Sequence, residues 1–86
     1  MPILIRHRSP MNQAQYDESA PALTALLKQQ PGFVVHVAYE DAGGFVVAEV
    51  WESHEQHDTW FNAHVKPNIP VEITQEVVDL HSVHTP

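Results

Sequence analysis

Seven histidines stand in a chain of 86 residues that has no cysteine, so acid–base chemistry here must be built around imidazole. In the stretch Ser53–Val65, His57 shares an i, i+3, i+4, i+7 stripe with Trp60, Phe61 and His64, and Val65 lies beside them. An imidazole on an apolar helix face is a titratable group in a water-poor setting, as a general base near neutral pH requires. His57 is therefore the first candidate base. The plainer reading is a partly exposed histidine bonded to a neighbouring carboxylate. His64, two turns further along the same side, offers a second imidazole to the same ligand; its plainer reading is a solvated last-turn histidine favoured by the helix dipole.

His36 and Glu49 form a second constellation, which depends on a turn. If Asp41-Ala42-Gly43-Gly44 is a four-residue turn, Glu40 pairs with Phe45 and His36 falls opposite Glu49, sharing a face with Val34 and Trp51. A carboxylate there would hold the imidazole tautomer and raise its pKa. A loop longer by one residue separates the pair. Even in contact, the two could serve a pocket or an interface between copies of the chain. Tyr16 and Tyr39 can donate hydrogen bonds to a ligand, whereas His7, His81 and His84 have no partner that spacing identifies. No HxH or HxxxH pair exists, and His54 with His57 at i, i+3 is a poor ligand set, so no metal is expected. There is no Ser-His-Asp order, phosphate-binding glycine loop or paired catalytic carboxylate.

The elements that must position these residues follow from pattern. Ile3–Arg8 alternates as a strand, with Ile3, Ile5 and His7 on one face. Ser9-Pro10 reads as a helix entry, and Tyr16, Ala20, Leu23, Leu27 and Gln30 form one stripe over about Met11–Gln30, interrupted at Pro21, which should kink or split the helix. Pro31-Gly32 ends it. Phe33–Glu40 and Phe45–Trp51 form a hairpin. Ser53 is placed to cap a second helix, with Gln56 completing a capping box and Glu52 and Glu55 at the positive end of the dipole. Pro67, Asn68 and Pro70 form a connector, Glu72–His84 a final strand, and Thr85-Pro86 a tail. The order βαββαβ is the ferredoxin-like arrangement, an α+β fold with two helices on one face of a four-stranded antiparallel sheet. Both middle strands are apolar on both faces, so the second face should be covered too, most simply by the same sheet of a second copy in a homodimer.

Composition narrows the partners. The length accommodates one domain over residues 1–86, with a modest core that favours oligomerisation. Four basic against eleven acidic residues, a net charge of −7, repels phosphate backbones and argues against nucleic acid. No apolar run is long enough to span a membrane, and the run in MPILIRHRSP is too short for a signal peptide. A soluble cytoplasmic protein is expected.

The run from Gly32 to Pro70 resembles the antibiotic biosynthesis monooxygenase-like proteins of the dimeric α+β-barrel superfamily. The resemblance rests on Gly32-Phe33, His36, the Gly43-Gly44 turn, Glu49-Val50-Trp51-Glu52-Ser53, the aromatic pair Trp60-Phe61 and Pro67. It implies a homodimer with facing sheets and, in each subunit, a pocket between sheet and helices. Members include cofactor-independent oxygenases of aromatic polyketides, haem-degrading enzymes, polyketide cyclases and small proteins without assigned activity. In the oxygenases the tryptophan ending this strand and a residue of the next helix line the pocket, positions matched by Trp51 and His57. Where the oxygenases carry an asparagine earlier on that strand, this chain has Val47. Haem-degrading relatives need an Asn, Trp and His set, and no asparagine lies in these strands. Cyclase-type relatives use a histidine in a setting like Ala63-His64-Val65 as base.

The expected site is thus an apolar pocket of Trp51, Trp60, Phe61 and strand valines including Val47, with Glu49 and Tyr16 as polar contacts and His57, His64 and His36 as candidate catalytic groups. Such a pocket suits a flat, apolar, phenolic small molecule. The expected chemistry is cofactor-independent: a histidine removes a phenolic or enolic proton and the carbanion reacts with oxygen. An oxygen-independent cyclase or isomerase would use the same residues, and a ligand-binding or structural dimer would turn over nothing.

Overall fold

Strand pairing in the computed structural model, which describes residues 1–68 and 73–86, centres on one strand that is buried along most of its length. That strand is β3, Gly44–Trp51, whose Val46, Val47, Ala48, Glu49 and Trp51 are all buried. It pairs antiparallel with β1, Ile3–Arg8, on one side and with β2, Phe33–Asp41, on the other. The last strand, β4 (Gln75–Asp79), joins the far edge of β1 and gives the order β2-β3-β1-β4. With α1 (Gln13–Leu27) between β1 and β2 and α2 (His54–Trp60) after β3, this is the βαββαβ ferredoxin-like α+β fold.

Both helices cover one face. Leu27 from α1 and Trp60 from α2 close over Ile3, Ile5 and Trp51 to make the core, with Leu23, Phe33, Phe61 and Val65 packed around it. Alternation then sends Val35, Val37 and Tyr39 to the opposite face, where they are 42%, 47% and 40% exposed, and Val78 of β4 joins them at 50%. Arg6 and Tyr39 reach over β3 on that face, with Arg6 Nη1 donating to the Tyr39 hydroxyl at 3.4 Å.

The hairpin register is the one that opposes His36 and Glu49: Asp41 pairs with Gly44, Glu40 with Phe45 and His36 with Glu49. Asp41 Oδ1 accepts the Gly43 amide at 2.8 Å, an Asx turn that holds the two-residue tip. A bulge shifts the ladder between Phe33 and Val35, so Phe33 rather than Val34 pairs with Trp51 and meets its indole edge to face at 5.5 Å. Gly32, at φ +85°, precedes the bulge; a Cβ there would run into the Gln56 amide.

Helix boundaries differ from the expectation. The first helix opens at Asn12, not at Ser9-Pro10, because Asn12 and Gln15 form a full capping box: Asn12 Oδ1 accepts the Gln15 amide at 2.8 Å and Gln15 Oε1 accepts the Asn12 amide at 2.9 Å. It ends at Leu27, short of Gln30. Pro21 does not split it; Pro21 and Asp17, whose carbonyl the proline cannot serve, are both exposed, so water can satisfy that group. In α2, Ser53 is the N-cap, its Oγ accepting the Gln56 amide at 3.2 Å. Its α-helical part stops at Trp60 and the chain continues as a π-helical turn over Phe61–Val65 and a 3₁₀ turn over Lys66–Asn68. β4 is shorter than expected. It pairs only with β1, and the ladder ends where β1 begins, with Asp79 opposite Ile3 and the Leu80 amide on the Pro2 carbonyl. The expected strand start at Glu72, and Pro70 of the connector, lie outside the described residues.

Candidate functional site

A cavity of about 400 Å³ opens between the helices and the covered face of the sheet. Tyr16 and Leu23 of α1 form one wall, and Trp60, Phe61, His64 and Val65 the other. Its floor is β1 and β3, through His7, Val47 and Glu49, and His57 stands where the floor meets α2.

Capping sets α2 in place directly after β3, which brings His57 back over the strand end. Its side chain is 3% exposed, edge to face with Trp51 at 5.7 Å and stacked on Phe61 at 5.7 Å. Nδ1 lies 3.1 Å from Asp58 Oδ1. No hydrogen bond among the described residues engages Nε2, which leaves that nitrogen for a ligand. The π turn carries His64 onto Trp60, ring on ring at 4.9 Å, at the cavity edge. A π turn next to a cavity re-aims side chains that a regular helix would carry past it.

Two expected pocket residues lie behind its surface. Trp51 is fully buried in the core rather than at the cavity wall. Its indole N–H donates to Glu49 Oε1 at 2.8 Å, so it supports the site through Glu49 and His57. His36 sits behind Tyr16, its side chain 6% exposed, with Nδ1 2.7 Å from Glu49 Oε2 and Nε2 2.6 Å from the Tyr16 hydroxyl. The pair therefore belongs to the helix-covered side of the sheet, not to the open face. Burial, with the Glu49 and Asp17 carboxylates, pushes the Tyr16 phenol above its ordinary pKa.

The residue that spacing did not single out is His7. It lines the cavity and meets Phe61 edge to face at 6.2 Å. Burial lowers its pKa; Glu49 opposes this, while His57 and His36 add to it. Its signal was the alternation Ile3-Ile5-His7, which already placed it on the covered face. His81 and His84 are exposed and outside the cavity.

Among the described residues, one group brings three metal-ligating atoms together: His54, His57 and Asp58. His54 with His57 alone was a poor set; Asp58, one turn after His54, adds an oxygen 3.3 Å from His54 Nε2. All three come from one helical turn, and both imidazoles already meet the same carboxylate oxygen.

Solved structures share the fold. The haem-degrading protein Rv3592 of Mycobacterium tuberculosis superposes with a TM-score of 0.72 at 13% identity, over 100% of this chain and 98% of that one. SnoaB, a cofactor-independent oxygenase of Streptomyces nogalater, gives 0.59 at 16% identity over 95% and 93%. A conserved protein of Methanosarcina mazei Go1 gives 0.66 at 11% identity over 91% of each. No curated protein matches the chain in sequence. The model of the antibiotic biosynthesis monooxygenase family, however, matches residues 7–65, more than half of the chain and every residue that lines the cavity except Asn68; the protein belongs to that family.

Proposed function

We propose that the cavity binds a flat, largely apolar phenolic molecule and deprotonates it through His57 for cofactor-independent oxygenation. The observation that carries this reading is the burial of His57 between Trp51 and Phe61 at the cavity wall, with Nδ1 on Asp58. Asp58 orients the ring, and Nε2 takes the phenolic or enolic proton. The resonance-stabilised carbanion then reacts with oxygen, while the aromatic walls exclude water and hold the ring flat. His64 lies at the cavity edge as a second polar contact, and Val47 and Phe61 pack against the ligand.

The reading includes a homodimer in the cytoplasm, the two open sheet faces meeting through Val35, Val37, Tyr39 and Val78. Exposed β-branched residues in a row on an uncovered sheet support it. Family membership and the likeness of fold to SnoaB support the oxygenase class.

Oxygen uptake with a panel of reduced aromatic phenols, wild type against His57→Ala, tests the proposal. Uptake that collapses in the variant is expected. Product formed under nitrogen would replace oxygenation by cyclisation or isomerisation at the same residues. Consumption of no substrate in either gas would leave a binding or structural dimer.

A further inference from the structure

The cavity holds a second set of titratable groups that the reaction above does not use. Tyr16, His36 and Glu49 come from three elements, yet their polar atoms form one chain: the Tyr16 hydroxyl lies 2.6 Å from His36 Nε2, and His36 Nδ1 lies 2.7 Å from Glu49 Oε2. The other carboxylate oxygen, Oε1, accepts the Trp51 indole N–H at 2.8 Å. Tyr16 and Glu49 line the cavity and His36 stands behind them, nearly sealed from solvent.

The hydrogen-bond roles follow from what each atom can do. An ionised Glu49 only accepts, so His36 Nδ1 carries a hydrogen. Burial beside Glu49 disfavours the phenolate of Tyr16, so its hydroxyl keeps its proton and is able to donate it to His36 Nε2. In that arrangement the His36 hydrogen sits on Nδ1, facing Glu49, and Nε2 accepts from the Tyr16 hydroxyl. We infer that Tyr16, His36 and Glu49 are a proton relay whose cavity end, the Tyr16 oxygen, accepts the proton of a phenolic hydroxyl on the bound ligand.

The step balances. The ligand O–H bond breaks as a new O–H bond forms on Tyr16. The Tyr16 proton passes to His36 Nε2, and the resulting imidazolium rests against the Glu49 carboxylate. The ligand is left as a phenolate facing the Tyr16 hydroxyl, which now hydrogen-bonds to it. No electron moves and no co-reactant is needed. Tyr16 is the catalytic residue of the relay; His36 and Glu49 act through it.

This inference rests on the cavity's being a site for a phenolic ligand, and it narrows that ligand. His57 comes from α2, whereas the relay comes from α1, β2 and β3. A molecule with two acidic positions, a phenolic hydroxyl and a second enolic or benzylic one, meets a proton acceptor at each. A ligand without a hydroxyl leaves the Tyr16 end unused.

The test uses p-nitrophenol, whose absorbance reports its own ionisation when bound. In the wild type the bound probe should ionise about one pH unit or more below its free value, the size of shift that one close charge brings. Tyr16→Phe, which keeps the ring, should abolish the shift, and Glu49→Gln should reduce it. A shift equal in wild type and Tyr16→Phe overturns the relay. If that shift disappears instead in His57→Gln, His57 remains the base and the cavity reading stands without the relay. No saturable binding of the probe overturns the cavity reading and the relay with it. Nitrogen-15 NMR of the ligand-free wild type supplies a measurement that no variant's folding can confound: His36 should show the Nδ1–H form, and an Nε2–H form overturns the relay.

Discussion

Trp51 and Glu49, two residues apart on β3 and on the same face, are joined by an indole N–H bond to the carboxylate at 2.8 Å. The bond pins one oxygen of a buried carboxylate and turns the other toward His36 at 2.7 Å. A buried carboxylate needs such partners, because an unpaired charge in a core costs several kcal/mol. Glu49→Gln keeps an oxygen for Trp51 but presents an amide to His36, and should destabilise by about 2–3 kcal/mol. Glu49→Ala leaves the Trp51 indole N–H and His36 Nδ1 both without a partner and should cost about 3–5 kcal/mol. Urea unfolding at fixed protein concentration measures both, and equal costs would refute the shared-carboxylate account.

The pH dependence of stability should carry the mark of His7. Burial holds its folded-state pKa below the unfolded value of about 6.5. In the interval between the two, the unfolded chain binds more protons than the folded one, so stability rises with pH there. Acidification from neutral pH through that interval should therefore lower the unfolding midpoint. His7→Gln should flatten the slope, whereas His84→Gln, on an exposed residue, should leave it unchanged. Glu49, His57 and His36 share the local field, so the comparison is best made by histidine NMR alongside unfolding.

Leu26 and Leu27 are neighbours in sequence with opposite fates. Leu27 is fully buried under the sheet and Leu26 is 37% exposed. Leu27→Ala should destabilise by about 2–5 kcal/mol through lost contacts and a residual cavity. Leu26→Ala should change stability by less than about 0.5 kcal/mol. Thermal unfolding of the two variants decides whether the α1 stripe is oriented as described.

Val37 lies mid-strand on the open face, 47% exposed between Val35 and Tyr39. If two copies meet there, Val37→Lys places two like charges in an apolar contact and should shift the protein to monomers in sedimentation. An unchanged mass would move the interface elsewhere.

Ser53→Ala should cost about 1 kcal/mol by removing the acceptor for the Gln56 amide. Because the same cap sets the angle at which α2 leaves Trp51, the variant should also weaken binding of p-nitrophenol in the cavity. Equilibrium titration of the probe against the variant and the wild type checks this.

Much of this architecture was written locally. The alternation Ile3-Ile5-His7, the stripe through Leu23 and Leu27, the Asp41–Gly44 turn and the Ser53 cap are each decided within a few residues, so the βαββαβ order of elements could be read without coordinates, whereas the His36–Glu49 register and the burial of His57 were each one of two readings that the sequence left open and packing decided. The start of α1 was open to the same reading, since Asn12 and Gln15 spell a capping box, but Ser9-Pro10 offered a competing entry three residues earlier. Other features depend on partners distant in sequence. β4 stops where β1 runs out of residues to pair with, which nothing in its own composition signals. Trp51 leaves the cavity wall because Leu27 and Trp60 close over it. The π turn at Phe61 alters the helical phase and brings His64 onto Trp60. Tyr16 meets His36 only because α1 lies across β2, twenty residues away along the chain. Periodicity assigns a side chain to a face; which side chains touch, and through which atoms a proton can pass, is settled by how the faces pack.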